Sequence, residues 1–98
     1  MLHNPRMNLH AIDEFKSACL AAGFDEVLER EWAAHTDLPS HSHPFSVRAL
    51  VTRGEMWLTA ADHTQHLLPG AVFSLDRDAP HEERYGPEGA SYWAARKS

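Results

Sequence analysis

Beyond Gly23 the sequence breaks into short strand-like runs, with turn-forming residues recurring roughly every 8–12 positions, the mark of a sandwich or barrel. The turn signals are Arg53-Gly54, Asp62 to Gln65, Pro69-Gly70, Asp76 to Pro80 and Gly86 to Gly89. Between them lie a charged but strand-compatible run from Phe24 to Trp32, a loop with Pro39 over 36–40, and then the clearest pattern in the chain. From His41 to Thr52 the residues alternate: His41, His43, Phe45, Val47, Ala49 and Val51 fall on one side. Ser42, Pro44, Ser46, Arg48, Leu50 and Thr52 fall on the other, as on a pleated strand whose successive side chains point to opposite faces. Glu55 to Ala60 reads as a return strand, followed by His66 to Leu68, Ala71 to Leu75, His81 to Tyr85 and Ser91 to Arg96.

Only the first quarter of the chain has another period. Leu9, Ile12, Phe15, Cys19 and Leu20 follow at helical spacing after Asn8, a good N-cap, and Gly23 stands where helices commonly stop. The spacing predicts one amphipathic helix over 9–22, preceded by an irregular arm of residues 1–7. No repeat or low-complexity tract interrupts the rest, so 98 residues read as one domain, with residues 24–98 forming its β part. A domain this small buries a thin core and gains from oligomerisation or a metal.

Composition excludes several partners. The formal net charge is -5 and there is no run of Lys or Arg, which argues against nucleic acid and against an anionic membrane surface. No stretch reaches the ~20 apolar residues of a membrane span, and Met1 to Met7 lacks an apolar signal core, so a cytoplasmic protein is expected. Cys19 is the single cysteine, which rules out an internal disulfide and suits a packed thiol.

Histidine is the unusual residue, at eight positions. His41 and His43, two apart on a strand, point to the same side roughly 6–7 Å apart along the backbone. Two such imidazoles leaning together can share an ion at ~2.0–2.1 Å from each nitrogen, with a third ligand from a distant segment. His81, opening a later strand after Pro80, is the candidate. An H-x-H pair alone is weak and fits two surface histidines. Here the same face continues as Phe45, Val47, Ala49 and Val51, so the pair looks inward, where unbonded imidazoles are costly. Imidazole suits Zn, Fe, Ni and Cu alike.

These residues resemble the two signature motifs of the cupin superfamily over residues 35–85. The first family motif runs Gly, five residues, His-x-His, three or four residues, Glu, six residues, Gly. His41, His43 and Gly54 match it, Val47 stands at the metal-binding Glu, and His35 at the leading Gly. The second runs Gly, five residues, Pro-x-Gly, two residues, His, three residues, Asn. Gly70 and His81 match it, while Asp76, Asp78 and Tyr85 replace the Pro, second Gly and Asn.

The resemblance implies an all-β fold, a cupin β-barrel of the jelly-roll type with one short N-terminal α-helix, paired as a homodimer. It also implies one divalent metal ion (Zn, Fe, Ni or Mn) held by His41, His43 and His81. With Val47 in place of the carboxylate, the ion keeps an open position, as expected of a catalytic or ligand-binding centre more than a structural one. Glu83, two residues after His81, is read either as a carboxylate ligand or base beside the ion or as a solvated charge at a strand mouth. Phe45 and Val47 are the expected pocket wall for a small-molecule substrate or ligand. Some cupins with three-histidine sites are iron-dependent dioxygenases, and others form the ligand-binding arm of bacterial transcription regulators. A metal-dependent enzyme of dioxygenase or isomerase type and a non-catalytic binding or sensing module therefore both remain. His3, His10, His35, His63 and His66 read as surface or loop residues. Trp32, Trp57 and Trp93 read as core and association surface in preference to one shared pocket.

Overall fold

The computed structural model describes residues 9–98. The expected arm, the Asn8 cap and His3 lie outside the described residues. Helix α1 spans Leu9–Ala21 and ends in a Schellman turn: Gly23 takes φ 92°, its N–H donates to Leu20 O, and Phe24 N–H donates to Cys19 O at 3.1 Å. The expected apolar stripe is buried only in part. Cys19 is enclosed and Ile12 and Phe15 are half-buried, but Leu9 is 78% and Leu20 53% exposed.

Six strands follow among the described residues: β1 (Glu26–Trp32), β2 (Asp37–His41), β3 (Ser46–Ala60), β4 (His63–Leu67), β5 (Val72–Leu75) and β6 (His81–Lys97). All pairings are antiparallel. The two long strands organise the rest. The first half of β3 pairs with the last third of β6, flanked by β5 and β1; the second half of β3 pairs with the start of β6, flanked by β4 and β2. This gives two four-stranded layers that share β3 and β6. One core lies between them, built from Ala49, Val51, Phe73, Leu75, Tyr92 and Ala94 of one layer against Met56, Leu58, Leu67 and Tyr85 of the other. The result is a compact cupin-type β-barrel.

Two expected turns are bends inside strands. Arg53-Gly54 does not reverse the chain, and neither does Gly86 to Gly89; β3 and β6 run through them with register shifts at Val51/Arg53 and Gly54/Met56. Bulges of this kind let a strand turn a corner and pass from one layer to the next. Glycine is required there by contact. A Cβ on Gly54, at φ 75°, would lie 2.0 Å from the carbonyl oxygen of Gly89, and one on Gly89 would lie 2.2 Å from that of Trp32. Arg53 fastens the corner, donating to Ser91 Oγ at 3.2 Å and to the carbonyl of Glu88 at 2.9 Å.

Three other boundaries also moved. Residues 36–40, expected as a loop, mostly form β2, despite Pro39, because β2 is an edge strand where a missing N–H is tolerated. The polar turn expected at 62–65 is tighter: Ala60 pairs with His63 across Ala61 and Asp62, both at positive φ (51° and 62°), a type I′ hairpin without glycine. The long alternating strand expected from His41 starts at Ser46; the side chains of Ala49 to Thr52 are all buried, so both faces of this stretch are covered.

The corner predicts unequal costs for two glycine substitutions. Gly54→Ala should cost about 3 kcal/mol or more, since only backbone opposes the new methyl. Gly23→Ala, whose Cβ would meet only the tip of Lys97 at 3.5 Å, should cost about 1–2 kcal/mol from its φ alone. Urea denaturation of both variants checks the order; equal losses would contradict a contact-built corner.

Candidate metal and ligand site

The site forms where β2 ends beside the start of β6. His41, the last residue of β2, is the cross-strand partner of His81, the first residue of β6, which also pairs with Ala60 of β3. His43 sits in the link between β2 and β3, held because its carbonyl accepts from the N–H of Asp78 at 2.8 Å. Thus His41 and His43 do not share a strand face as expected; a bent link aims them together. Their ring centroids lie 5.1 Å apart, and those of His41 and His81 4.3 Å. One ligand atom from each of the three histidines lies within 4.8 Å of the others. Tetrahedral donors at ~2.1 Å from an ion stand ~3.4 Å apart, so closure around a metal needs modest movement of the side chains.

Backbone carbonyls set the tautomers. The Nδ1 of His41 lies 2.8 Å from the carbonyl of Pro39, and that of His81 lies 2.9 Å from the carbonyl of Ala79. A carbonyl can only accept, so we assign the hydrogen to Nδ1 in both rings, which leaves both Nε2 lone pairs facing the site. The side chain of His81 is 1% exposed, and its Nε2 has no hydrogen-bond partner among the described residues. Burial, reinforced by the neighbouring charges of His81 and His41, pulls the His43 pKa down and favours its neutral form. Imidazoles oriented this way, when neutral, match the donor set of a divalent transition metal.

Glu83 stands against this cluster. Along β6, His81, Glu83 and Tyr85 are buried while Glu82 and Arg84 are exposed, so the inward face carries the carboxylate. Its Oε2 lies 3.3 Å from His41 Nε2 and 3.5 Å from His81 Nε2. Its Oε1 accepts from the hydroxyl of Tyr85 at 2.5 Å, with the hydroxyl of Tyr92 at 3.5 Å, and Trp32 Nε1–H donates to that second hydroxyl at 3.0 Å. Burial, then the neighbouring Tyr92 and Glu83, drives the Tyr85 pKa up, and burial, then Glu83, raises that of Tyr92, so both phenols stay protonated donors. A carboxylate oxygen facing two lone-pair nitrogens is repelled unless a cation or a proton lies between them. Together with the orphaned Nε2 of His81, that arrangement fits a metal ion.

Beside the cluster opens a cavity of about 350 Å³. Phe45 and Val47, the expected pocket wall, line it together with His43, Phe73 and Leu75, and His43 stacks on Phe45 at 5.1 Å. Arg30, Tyr92 and Arg96 complete its polar lining. Sequence reasoning missed Arg30, Tyr85 and Tyr92. The alternation of Leu28, Arg30 and Trp32 on β1 was the available signal for the arginine. The three tryptophans do not share a pocket: Trp32 stacks on Tyr85, Trp57 on His66, and Trp93 lies under Lys16. His10, His35, His63 and His66 are exposed, and Cys19 is buried, which raises its pKa although Arg48 opposes the shift.

The fold is that of a small cupin. More narrowly, the AraC-like ligand binding domain family matches residues 25–96, and the chain belongs to that family. No curated protein matches it. Among solved structures, the DMSP lyase DddQ from Ruegeria pomeroyi is similar at a TM-score of 0.68 and 19% identity, over 74% of this chain and 37% of that one. The cupin domain of Schizosaccharomyces pombe Cnp3 gives 0.67 and 15%, over 74% and 54%, and KdgF from Halomonas sp. gives 0.63 and 14%, over 74% and 67%. At these identities the likeness shows the fold. The chain spans little more than a third of the lyase chain, at 37%. No helix among the described residues is long and apolar enough to cross a membrane.

Two substitutions separate the roles around Glu83. Glu83→Gln should weaken zinc binding about 10–100-fold in competition with a chromophoric chelator. Tyr85→Phe should cost about 1–3 kcal/mol of stability by leaving Oε1 without its main donor. Unchanged zinc affinity in the first variant would remove Glu83 from the centre.

Proposed function

We propose that this chain holds one divalent metal ion (Zn, Fe, Ni or Mn) through His41, His43 and His81, and presents it to a small organic molecule in the adjoining cavity. The observation that carries this reading is the buried Nε2 of His81, which has no hydrogen-bond partner among the described residues and lies, like the Nε2 of His41, within 3.5 Å of Glu83 Oε2. When bound, the ion supplies Lewis-acid polarisation or oxygen activation.

The protein's own groups do the rest. Pro39 and Ala79 hold the histidine tautomers through their carbonyls, and Phe45 and Val47 form an apolar wall that orients the guest and excludes water. Glu83 supplies the carboxylate that Val47 lacks. It does not line the cavity, so it works at the imidazoles, as a fourth ligand or as a proton holder at Oε2. An ion that kept an open position towards the cavity would suit an enzyme of dioxygenase or isomerase type. The likeness to a DMSP lyase supports an enzyme; membership of a ligand-binding family supports a second reading, capture of a small molecule without turnover. Exposed Leu68 and Val72 offer apolar surface for pairing as a homodimer.

Elemental analysis of the purified protein should find one transition metal per chain, falling to background in His81→Ala. Equal metal content in the two proteins would overturn the centre. Product formation or oxygen uptake by iron-, manganese-, nickel- or zinc-loaded protein marks the enzyme; thermal stabilisation by a ligand with no turnover on any metal marks the binding module.

A further inference from the structure

Arg30 is exposed on β1 at the edge of the cavity beside His43. On β1 it lies between Leu28 and Trp32 on alternate positions of one strand face, and with Leu28 it lines the cavity beside His43. Arg30 has no hydrogen bond or ion pair to another side chain among the described residues; its guanidinium carbon lies 5.8 Å from the centroid of the Trp32 ring. By contrast, Arg96 on the neighbouring strand is paired with Glu26. Even so, the Nε of Arg96 is buried without a hydrogen-bond partner, a second donor without an acceptor on the same wall.

The charge balance of the cavity is the reverse of that of the chain. The protein carries 14 acidic and 9 basic residues, yet two arginines and a histidine line this cavity and no Asp or Glu does. Glu83, the nearest buried carboxylate, is turned away and occupied by Tyr85 and the imidazoles. The other walls, Phe45, Val47, Phe73 and Leu75, are apolar.

We propose that the cavity takes a small organic acid, with its carboxylate on the guanidinium of Arg30 and its apolar body against Phe45 and Phe73. The planar fork of Arg matches the two oxygens of a carboxylate and gives the charge-assisted, paired contact that a lone lysine would not. The volume, about 350 Å³, is at the small end for ligand cavities and suits a compact monoacid in place of a sugar chain or nucleotide. The inference rests on the cavity being the ligand site of the metal centre proposed above. It assigns Arg30 as the residue that selects the anionic end of the guest.

Isothermal titration with matched probes tests it: benzoate and 3-phenylpropionate against benzamide and 3-phenylpropionamide, with phenyl phosphate as a second anion. Wild-type protein should bind each acid at least about tenfold more tightly than its amide. Arg30→Gln should abolish that preference while leaving amide binding unchanged, Arg30→Lys should keep part of it, and Phe45→Ala should weaken acid and amide alike. Acids and amides bound equally, no binding of either acid, or full acid preference in Arg30→Gln would overturn the proposal. Tighter binding of phenyl phosphate than of both acids would overturn the carboxylate assignment. Metal content is measured on the same samples. Loss of the metal centre then shows as metal-free protein that still discriminates acid from amide, whereas failure of the Arg30 assignment shows as metal-loaded protein that does not.

Discussion

The pairing of β3 with β6 carries the architecture. These strands hydrogen-bond to each other on both sides of a corner, and every other strand attaches to one of them. Because both bend at Gly54 and Gly89, one ladder supplies the middle of two layers and folds its own inner face into a core. The backbone contact between the two glycines sets the sharpness of that bend, and the clasp of Arg53 on Ser91 and Glu88 holds it. The position of His81 follows. As the first residue of β6 it comes to the end of one layer, next to the last residue of β2, and there meets His41.

Polar chemistry is concentrated around a single strand segment. His81, Glu83 and Tyr85 alternate inward on β6, and Tyr92, further along the same strand, reaches the same carboxylate from the other layer. A carboxylate this enclosed, 5% exposed, is tolerated because phenols occupy one oxygen and imidazoles face the other. The cavity next to it is chemically different: apolar walls, an aromatic ring under His43, and the exposed guanidinium of Arg30 at its edge. The two compartments meet at His43, so the centre proposed for the metal and the space proposed for the guest share one ring.

Much of this was legible in the residues. The helix and its Gly23 stop, the all-β remainder and the convergence of three histidines follow from period, spacing and motif resemblance. What could not be read was the meaning of glycine. Arg53-Gly54 and Gly86 to Gly89 carry the residues of a turn, yet a bend within a strand demands the same freedom, and only the partner across the ladder decides between them. The hairpin at Ala61 and Asp62 was missed in the opposite sense, since it takes a left-handed backbone without glycine. His41 and His43 were placed on one strand because alternation extends through them, but residues 42–45 are irregular and the pair converges through a bend in the link. Arg30 was hidden among Glu26, Glu29 and Glu31, where a charged edge strand accounts for the composition equally well.

Strands that belong to both layers leave no seam between them. In many sandwiches each sheet owns its strands and one can loosen while the other persists. Here the residues that carry the imidazoles and those that line the guest's chamber sit on the same continuous ladder, from His81 to Arg96 along β6. Partial opening confined to one half is therefore disfavoured, and the barrel should melt as one cooperative unit whose most persistent amides lie in the paired runs on either side of the shared corner.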